Sequence, residues 1–323
     1  MAAQGRDIKL AESRVEGYRN FITKIWNAAR FISTYEITID NKFDPKNVTQ
    51  DQNKWILGEL DNLNKNVCQS IDNYRFNEAS AAIYSFTWHL FCDWYIEIIK
   101  DDMNQTSAES AETKQTLIYT FLNLLKICHP FMPFVTEELN NVYKKDKSLL
   151  VSSSWPELIA NRSDQSKSII DFLISSITEV RSIRSELRVA PSNKVKLLVM
   201  NGNNNLLKAL KANGSKLERM ARLSSLDYVE EMPDNTIQFN VSDVGFGLEL
   251  KGLVNAEEEL ARLDKEIQKT LNDLLVVDKK LNNKQFLENA PKDVIEKQKM
   301  IKEELILQKD KIEFSKERFK KIK

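Results

Sequence analysis

Residues Glu12 to Ile32 read ESRVEGYRNFITKIWNAARFI. Within this stretch Val15, Tyr18, Ile22, Ile25, Ala29 and Ile32 recur at alternating steps of three and four, which lays one apolar stripe along a helix. Lys24, Asn27 and Phe31 share a second set of three- and four-residue steps, with Arg30 adjacent and Arg14 and Arg19 a few turns earlier. An amide, a guanidinium and an aromatic ring together suit unpaired nucleobases, which need edge hydrogen bonds and a stacking platform. The other reading keeps Phe31 in a core and leaves the polar residues simply solvated. The pattern leaves both open.

Working outward, Asp40, Asn41, Asp44 and Pro45 are turn formers that break the chain before the next periodic stretch. A second helix is expected from about Gln52 to Tyr74. A third, Asn77 to Lys100, is rich in aromatic residues, and a fourth runs from Ser110 to Cys128, stopping before Pro130. Four long helices with short links predict an antiparallel bundle. Pro130, Pro133 and Pro156 punctuate a segment with one further short helix near Val135 to Tyr143. Ile169, Ile170, Leu173, Ile177, Val180 and Ile183 then form another helical face. Short apolar runs of strand character follow at Val195 to Met200, Leu226 to Val229, Thr236 to Val241 and Val244 to Leu250. After Gly252, Ala256, Leu260, Leu263, Ile267, Thr270, Leu274, Val277 and Leu281 step as a heptad seam. A second seam passes through Val294, Gln298, Ile301, Leu305, Gln308, Ile312, Ser315, Phe319 and Ile322. The fold expected is mainly α: an antiparallel helix bundle over residues 1–160, a small α/β unit over 161–252, and a C-terminal two-helix antiparallel coiled coil over 253–323.

Composition narrows the function. The 323 residues carry 47 basic and 47 acidic side chains, so no global field attracts a polyanion and any nucleic-acid contact must come from local faces. Only 8 glycines are present, against a usual share of roughly 7%, which disfavours a fold built on glycine loops around phosphates. Neither a P-loop nor GxGxxG occurs. Cys68, Cys92 and Cys128 are odd in number and lack metal-site spacing, so the expectation is a reducing cytoplasm without disulfides or zinc. The start MAAQGRDIKL has no apolar signal core, and no run of 18 apolar residues spans a membrane. His89, among residues of buried type, and His129, before a helix-ending proline, read as structural, and no catalytic set can be assembled from them. Two further basic groups are candidates for RNA backbone contact. Arg181, Arg184 and Arg188 project from one side of a helix, with salt bridges to Glu179 and Glu186 as the plain alternative. Lys316, Arg318, Lys320, Lys321 and Lys323 crowd the last ten residues, where they would form a basic tip or merely a solvated heptad face.

The runs ESRVEGYRNFITKIWNAARFI, RFNEASAAIYSFTWHLFCDWYIEIIK (Arg75 to Lys100) and HPFMPFVTEEL (His129 to Leu139) resemble the anticodon-binding helical domain of bacterial valyl-tRNA synthetases. EVRSIRSELRVAPSNKVKL resembles that family's post-bundle helix and strand. GLVNAEEELARLDKEI and FLENAPKDVIEKQK resemble its C-terminal hairpin. Asn140 stands where the family usually has Trp after EEL, and LRVAPSN (Leu187 to Asn193) stands where a Met-Asn-Val-Pro-Pro-like run is common. The resemblance implies that Asn27, Arg30 and Phe31, with Lys24 and Arg19 nearby, face a tRNA anticodon, and that the hairpin reaches the outer corner of the tRNA. QGRDIKL (Gln4 to Leu10) resembles the stretch after the KMSKS region, which implies a chain beginning where the catalytic domain ends. KKDKS at Lys144 to Ser148 is a poor echo of KMSKS in a different place. ATP then belongs to the full enzyme, with no cofactor in this chain. The partners implied are tRNA(Val) and the catalytic or N-terminal portion of the same enzyme, which a separate polypeptide could supply in trans, and the chain itself is expected to be a monomer. The rival expectation is a coiled-coil interaction or scaffold module without RNA binding.

Overall fold

The computed structural model describes residues 11–143, 148–157, 163–201, 205–250, 256–283 and 291–320. It divides into two units, residues 1–174 and 175–323. Expectations resting on the opening QGRDIKL, on KKDKS, on the hairpin turn at 284–290 and on the last three residues lie outside the described residues.

The first unit is a helical bundle. It comprises α1 (Glu12–Ser33), α2 (Asp51–Asp72), α3 (Phe76–Ser85), α4 (Ile96–Met103), α5 (Ala108–Cys128) and α6 (Pro133–Tyr143). Between α3 and α4 the chain continues as a ten-residue π-helix, Phe86–Tyr95, so the aromatic stretch is one rod with a wide middle. Its i→i+5 spacing stacks Phe86 on Phe91 at 6.5 Å and 16°, and Phe91 also stacks on Phe121 of α5 at 6.1 Å and 17°. Pro133 begins α6, where a missing amide costs nothing.

A polar knot fastens the bundle. The fully buried Asn53 of α2 donates to Thr113 and to Glu112 of α5, and accepts the Tyr95 hydroxyl of the π-helix at 3.0 Å. Gln50, at the N-cap of α2, makes no side-chain cap. The Glu112 carboxylate takes over that task, accepting from the Thr49 amide and hydroxyl at 2.8 and 2.7 Å and from the Gln50 amide at 3.0 Å.

The stripe expected on α1 is only half buried. Ile25, Ala29 and Ile32 enter the core together with Phe21 and Ala28, whereas Val15, Tyr18 and Ile22 are exposed, as is Trp26. The core-facing arc therefore turns toward Phe21, which stacks on Tyr84 at 5.0 Å.

The second unit holds a four-stranded sheet of order β2-β1-β4-β3, built from β1 (Val195–Met200), β2 (Leu223–Val229), β3 (Ile237–Val241) and β4 (Val244–Glu249). β1 pairs parallel with β2 and antiparallel with β4, and β3 closes a hairpin with β4. The crossover from β1 to β2 carries two short helices, α8 (Asn205–Ala212) and α9 (Gly214–Ala221). α7 (Asp164–Glu186) supplies Ile177, Val180 and Ile183 to this core. Finally α10 (Ala256–Leu281) and α11 (Lys292–Lys320) lie antiparallel. Leu263, Ile267, Thr270 and Val277 of the predicted seam are buried, while Val294 and Gln308 of the second seam are exposed. No helix among the described residues is long and apolar enough to cross a membrane.

Cys92 and Cys128 are buried, and desolvation pushes each thiol up to about 12, whereas Cys68 is half-buried. A thiol reagent at mildly alkaline pH should therefore modify the folded protein at Cys68 only. The other two should react on unfolding, and equal rates for all three in native buffer would contradict this packing.

Candidate nucleic-acid interface

The flank of α1 away from the exposed apolar stripe presents Lys24, Asn27 and Phe31. Phe31 is half-buried. Its ring meets Tyr35 edge-on at 5.1 Å and lies 6.0 Å from the Lys100 ammonium. Asn27 and Arg30 are exposed and make no side-chain hydrogen bond or ion pair among the described residues. The ring is therefore not sealed in the core, and the amide and guanidinium beside it are available. Lys24 is more committed: its ammonium is 2.7 Å from Asp93 and 5.3 Å from the Trp88 ring centroid. Arg19 pairs with Glu16 at 3.5 Å, a solvated contact of small energy. The Arg14 side chain lies outside the described residues.

Opposite this flank the end of α3 and the π-helix add groups that sequence reasoning missed. Tyr84 and Trp88 stack at 5.6 Å and 16°, and both are half-exposed. Their four-residue spacing, followed by Asp93 and Lys100, was a usable signal. His89 is exposed rather than buried, 3.9 Å from Asp93 and edge-on to Tyr84. The interface is thus a row of rings and amide donors whose charges largely cancel: Lys24 is neutralised by Asp93, and Lys100 by Glu97 at 2.6 Å.

The second basic cluster is divided between burial and exposure. Arg184 is 6% exposed, and its guanidinium donates to the carbonyls of Arg222 and Asn193 at 2.8 Å and of Ala221 and Ala190 at 3.4 Å. Arg181 donates to the Met220 carbonyl at 3.0 Å, and Arg188 is exposed, in a left-handed backbone conformation. Arg181 and Arg184 share one side of α7, which faces the entry to β1 and β2, and Arg188 lies beyond the helix end. Burial, and then the nearby Arg222 charge, draw the Arg184 pKa below the ordinary guanidinium range.

Two ion pairs join the helices of the pair: Lys302 meets Asp278 at 2.7 Å, and Lys316 meets Asp264. Ser315 of α11 meets Glu186 of α7. Lys316 is thus engaged near the root of the pair, while the side chains of Arg318 and Lys320 and residues 321–323 lie outside the described residues.

Comparison with known proteins adds independent findings. Residues 53–199 match the family described as the anticodon-binding domain of tRNA ligase, and residues 255–323 match the valyl-tRNA synthetase tRNA-binding arm. The valine–tRNA ligase of Geobacter sulfurreducens is 38% identical over 331 residues, covering 99% of this chain and 37% of that protein. That of Bradyrhizobium diazoefficiens is 34% identical, with coverage of 99% and 37%. That of Brucella suis is 36% identical over 301 residues, with coverage of 92% and 33%. The chain spans little more than a third of the length of these relatives. It carries the anticodon-binding domain of tRNA ligases and the tRNA-binding arm of valyl-tRNA synthetases.

Proposed function

We propose that this chain grips tRNA(Val) at the anticodon through α1 and at the outer corner through the α10–α11 pair, orienting it for ATP-dependent attachment of valine. The valylating chemistry resides in the catalytic portion of such an enzyme, and no step of it is assigned to residues here. The observation that carries the reading is the arrangement on α1: exposed Asn27 and Arg30 beside a half-buried Phe31 ring. Stacking on the ring and edge hydrogen bonds to the amide select unstacked bases, and two separated contacts on one rigid RNA raise avidity without further chemistry. The work is placed in the cytoplasm, with the chain monomeric. Burial of Leu263, Ile267 and Val277 within the helical pair supports the RNA-binding reading over a dimerising scaffold, since that seam is already used internally.

Phe31→Ala and Asn27→Ala should each weaken binding of a tRNA(Val) anticodon stem-loop by about 1 to 2 kcal/mol. Calorimetry at fixed salt measures this, and unchanged affinity in both variants would remove the anticodon role from α1.

A further inference from the structure

Two helices of the second unit end on an arginine in the conformation that usually falls to glycine. Just beyond α7 lies Arg188 at φ 52°, and at the end of α9 lies Arg222 at φ 56°. Both turns have the hydrogen bonds of a left-handed cap: the Val189 amide donates to the Arg184 carbonyl at 2.8 Å, and the Arg222 amide to the Arg219 carbonyl at 3.3 Å. Glycine would hold either turn with less strain. The side chains kept there bring charge to one place, because the two ends meet. Arg222 donates to the carbonyl of Pro191, in the turn that follows Arg188, at 2.8 Å.

Lys194 joins them. It precedes β1 as Arg222 precedes β2, and the Val195 amide lies 3.4 Å from the Arg222 carbonyl, so the two cations enter neighbouring parallel strands side by side. Arg188, Lys194 and Arg222 are exposed, while Arg184 lies buried among the same carbonyls. Among the described residues no carboxylate pairs with Arg184, Arg222 or Lys194. Arg184 spends its donors on four carbonyls and Arg222 on one. Glu186, the acid at the end of α7, is met by Ser315. After burial, the Arg222 charge is what draws the Arg184 pKa down, so the two guanidiniums are close enough to repel. Like charges gathered without a counter-charge are relieved by an anion, and phosphate oxygens accept from guanidinium and ammonium alike.

We infer that the junction of α7, α9 and the start of β1 is a phosphate site, in which Arg222 and Lys194 donate to the oxygens of a phosphodiester and Arg188 flanks it. This rests on the RNA-binding reading for its natural source, the backbone of bound RNA; a free phosphate has the same chemistry.

The test measures binding of tRNA(Val), and separately of inorganic phosphate, to the full chain and to its Arg222→Gly, Lys194→Gln double variant. Glycine suits φ 56°, so the turn survives loss of the guanidinium, and Lys194→Gln alone, at an exposed position, gives the same readout should the double variant fold poorly. The double variant should bind tRNA about tenfold more weakly at low salt, with a log–log salt slope shallower by about one to two. Arg222→Lys, which keeps the charge, should retain most of the parent slope. Phosphate contacts carry no base information, so a tRNA of another identity should lose as much. Equal tRNA binding by parent and variant, with phosphate shifting the Arg222 amide resonance in the parent alone, assigns the site to a free phosphate compound. Parent-like affinity and slope for tRNA together with no phosphate-dependent shift overturn the site. If Phe31→Ala still weakens tRNA binding in that case, the RNA-binding function stands and only this cluster loses its role.

Discussion

Replacing Arg184 with alanine is expected to destabilise the second unit by about 3 to 4 kcal/mol, read as a lower urea midpoint of the far-ultraviolet signal. The guanidinium bridges two groups of backbone carbonyls and is the donor that ties them together. Arg222 and Ala221 lie at the end of α9, where Arg222 adopts the left-handed conformation, and Ala190 and Asn193 lie in the turn after α7. Val195 and Leu223, the first paired residues of the parallel strands β1 and β2, follow directly. Truncation removes a donor from four carbonyls, of which those of Ala190 and Arg222 keep a backbone amide donor, and opens a hole at the start of the sheet. Arg184→Lys should recover only part of the loss, because one ammonium cannot reach both ends of that fork. An unchanged midpoint in Arg184→Ala would refute the pinning role. RNA affinity lost at unchanged stability would instead restore the phosphate-contact role expected from the sequence.

Glu112 is expected to matter nearly as much, and with a pH signature. Partial burial raises its pKa, but donation from Asn53, from Gln50 and from Thr49 prevails, and the net value falls below the ordinary carboxylate range. A depressed native pKa means that the unfolded chain takes up the proton first. The contribution is complete above the unfolded carboxylate value of roughly 4.3 and fades as pH drops through the native value. Glu112→Ala should cost about 2 to 3 kcal/mol at neutral pH, since the first turn of α2 loses its cap and Asn53 loses an acceptor. The difference between parent and variant should shrink on acidification. A difference that stays constant from neutrality to below pH 4 would show that the charge is not what holds α2.

The order of elements was legible in the sequence because each depends on local periodicity. The strand runs at Val195 to Met200 and Val244 to Leu250 emerge as β1 and β4 within a residue of expectation. What faces each helix was not legible. Spacing places Arg181, Arg184 and Arg188 on one side of α7, yet cannot reveal that backbone carbonyls distant in sequence await them there. The apolar steps of α1 were similarly correct as a helix signal and wrong as a burial map for Val15, Tyr18 and Ile22, because Phe21 and Ala28 claimed the core. Asn27, Arg30 and Phe31 are on α1, the first two exposed and the ring half-buried, while Trp88 and Lys100 beside them depend on a helix pairing that no local pattern encodes.

The return of α11 along α10 has a geometric consequence. Asp264 faces Lys316 and Asp278 faces Lys302, so the rungs of the pair keep one register over fourteen residues of each strand of the hairpin. Lengthening the outward helix alone would slide every rung out of step, and the anchoring of Ser315 at Glu186 would be lost with it. The projection therefore behaves as a ruler that can be recalibrated only by equal insertions or deletions on both limbs, and related proteins with longer or shorter arms should differ by such matched pairs.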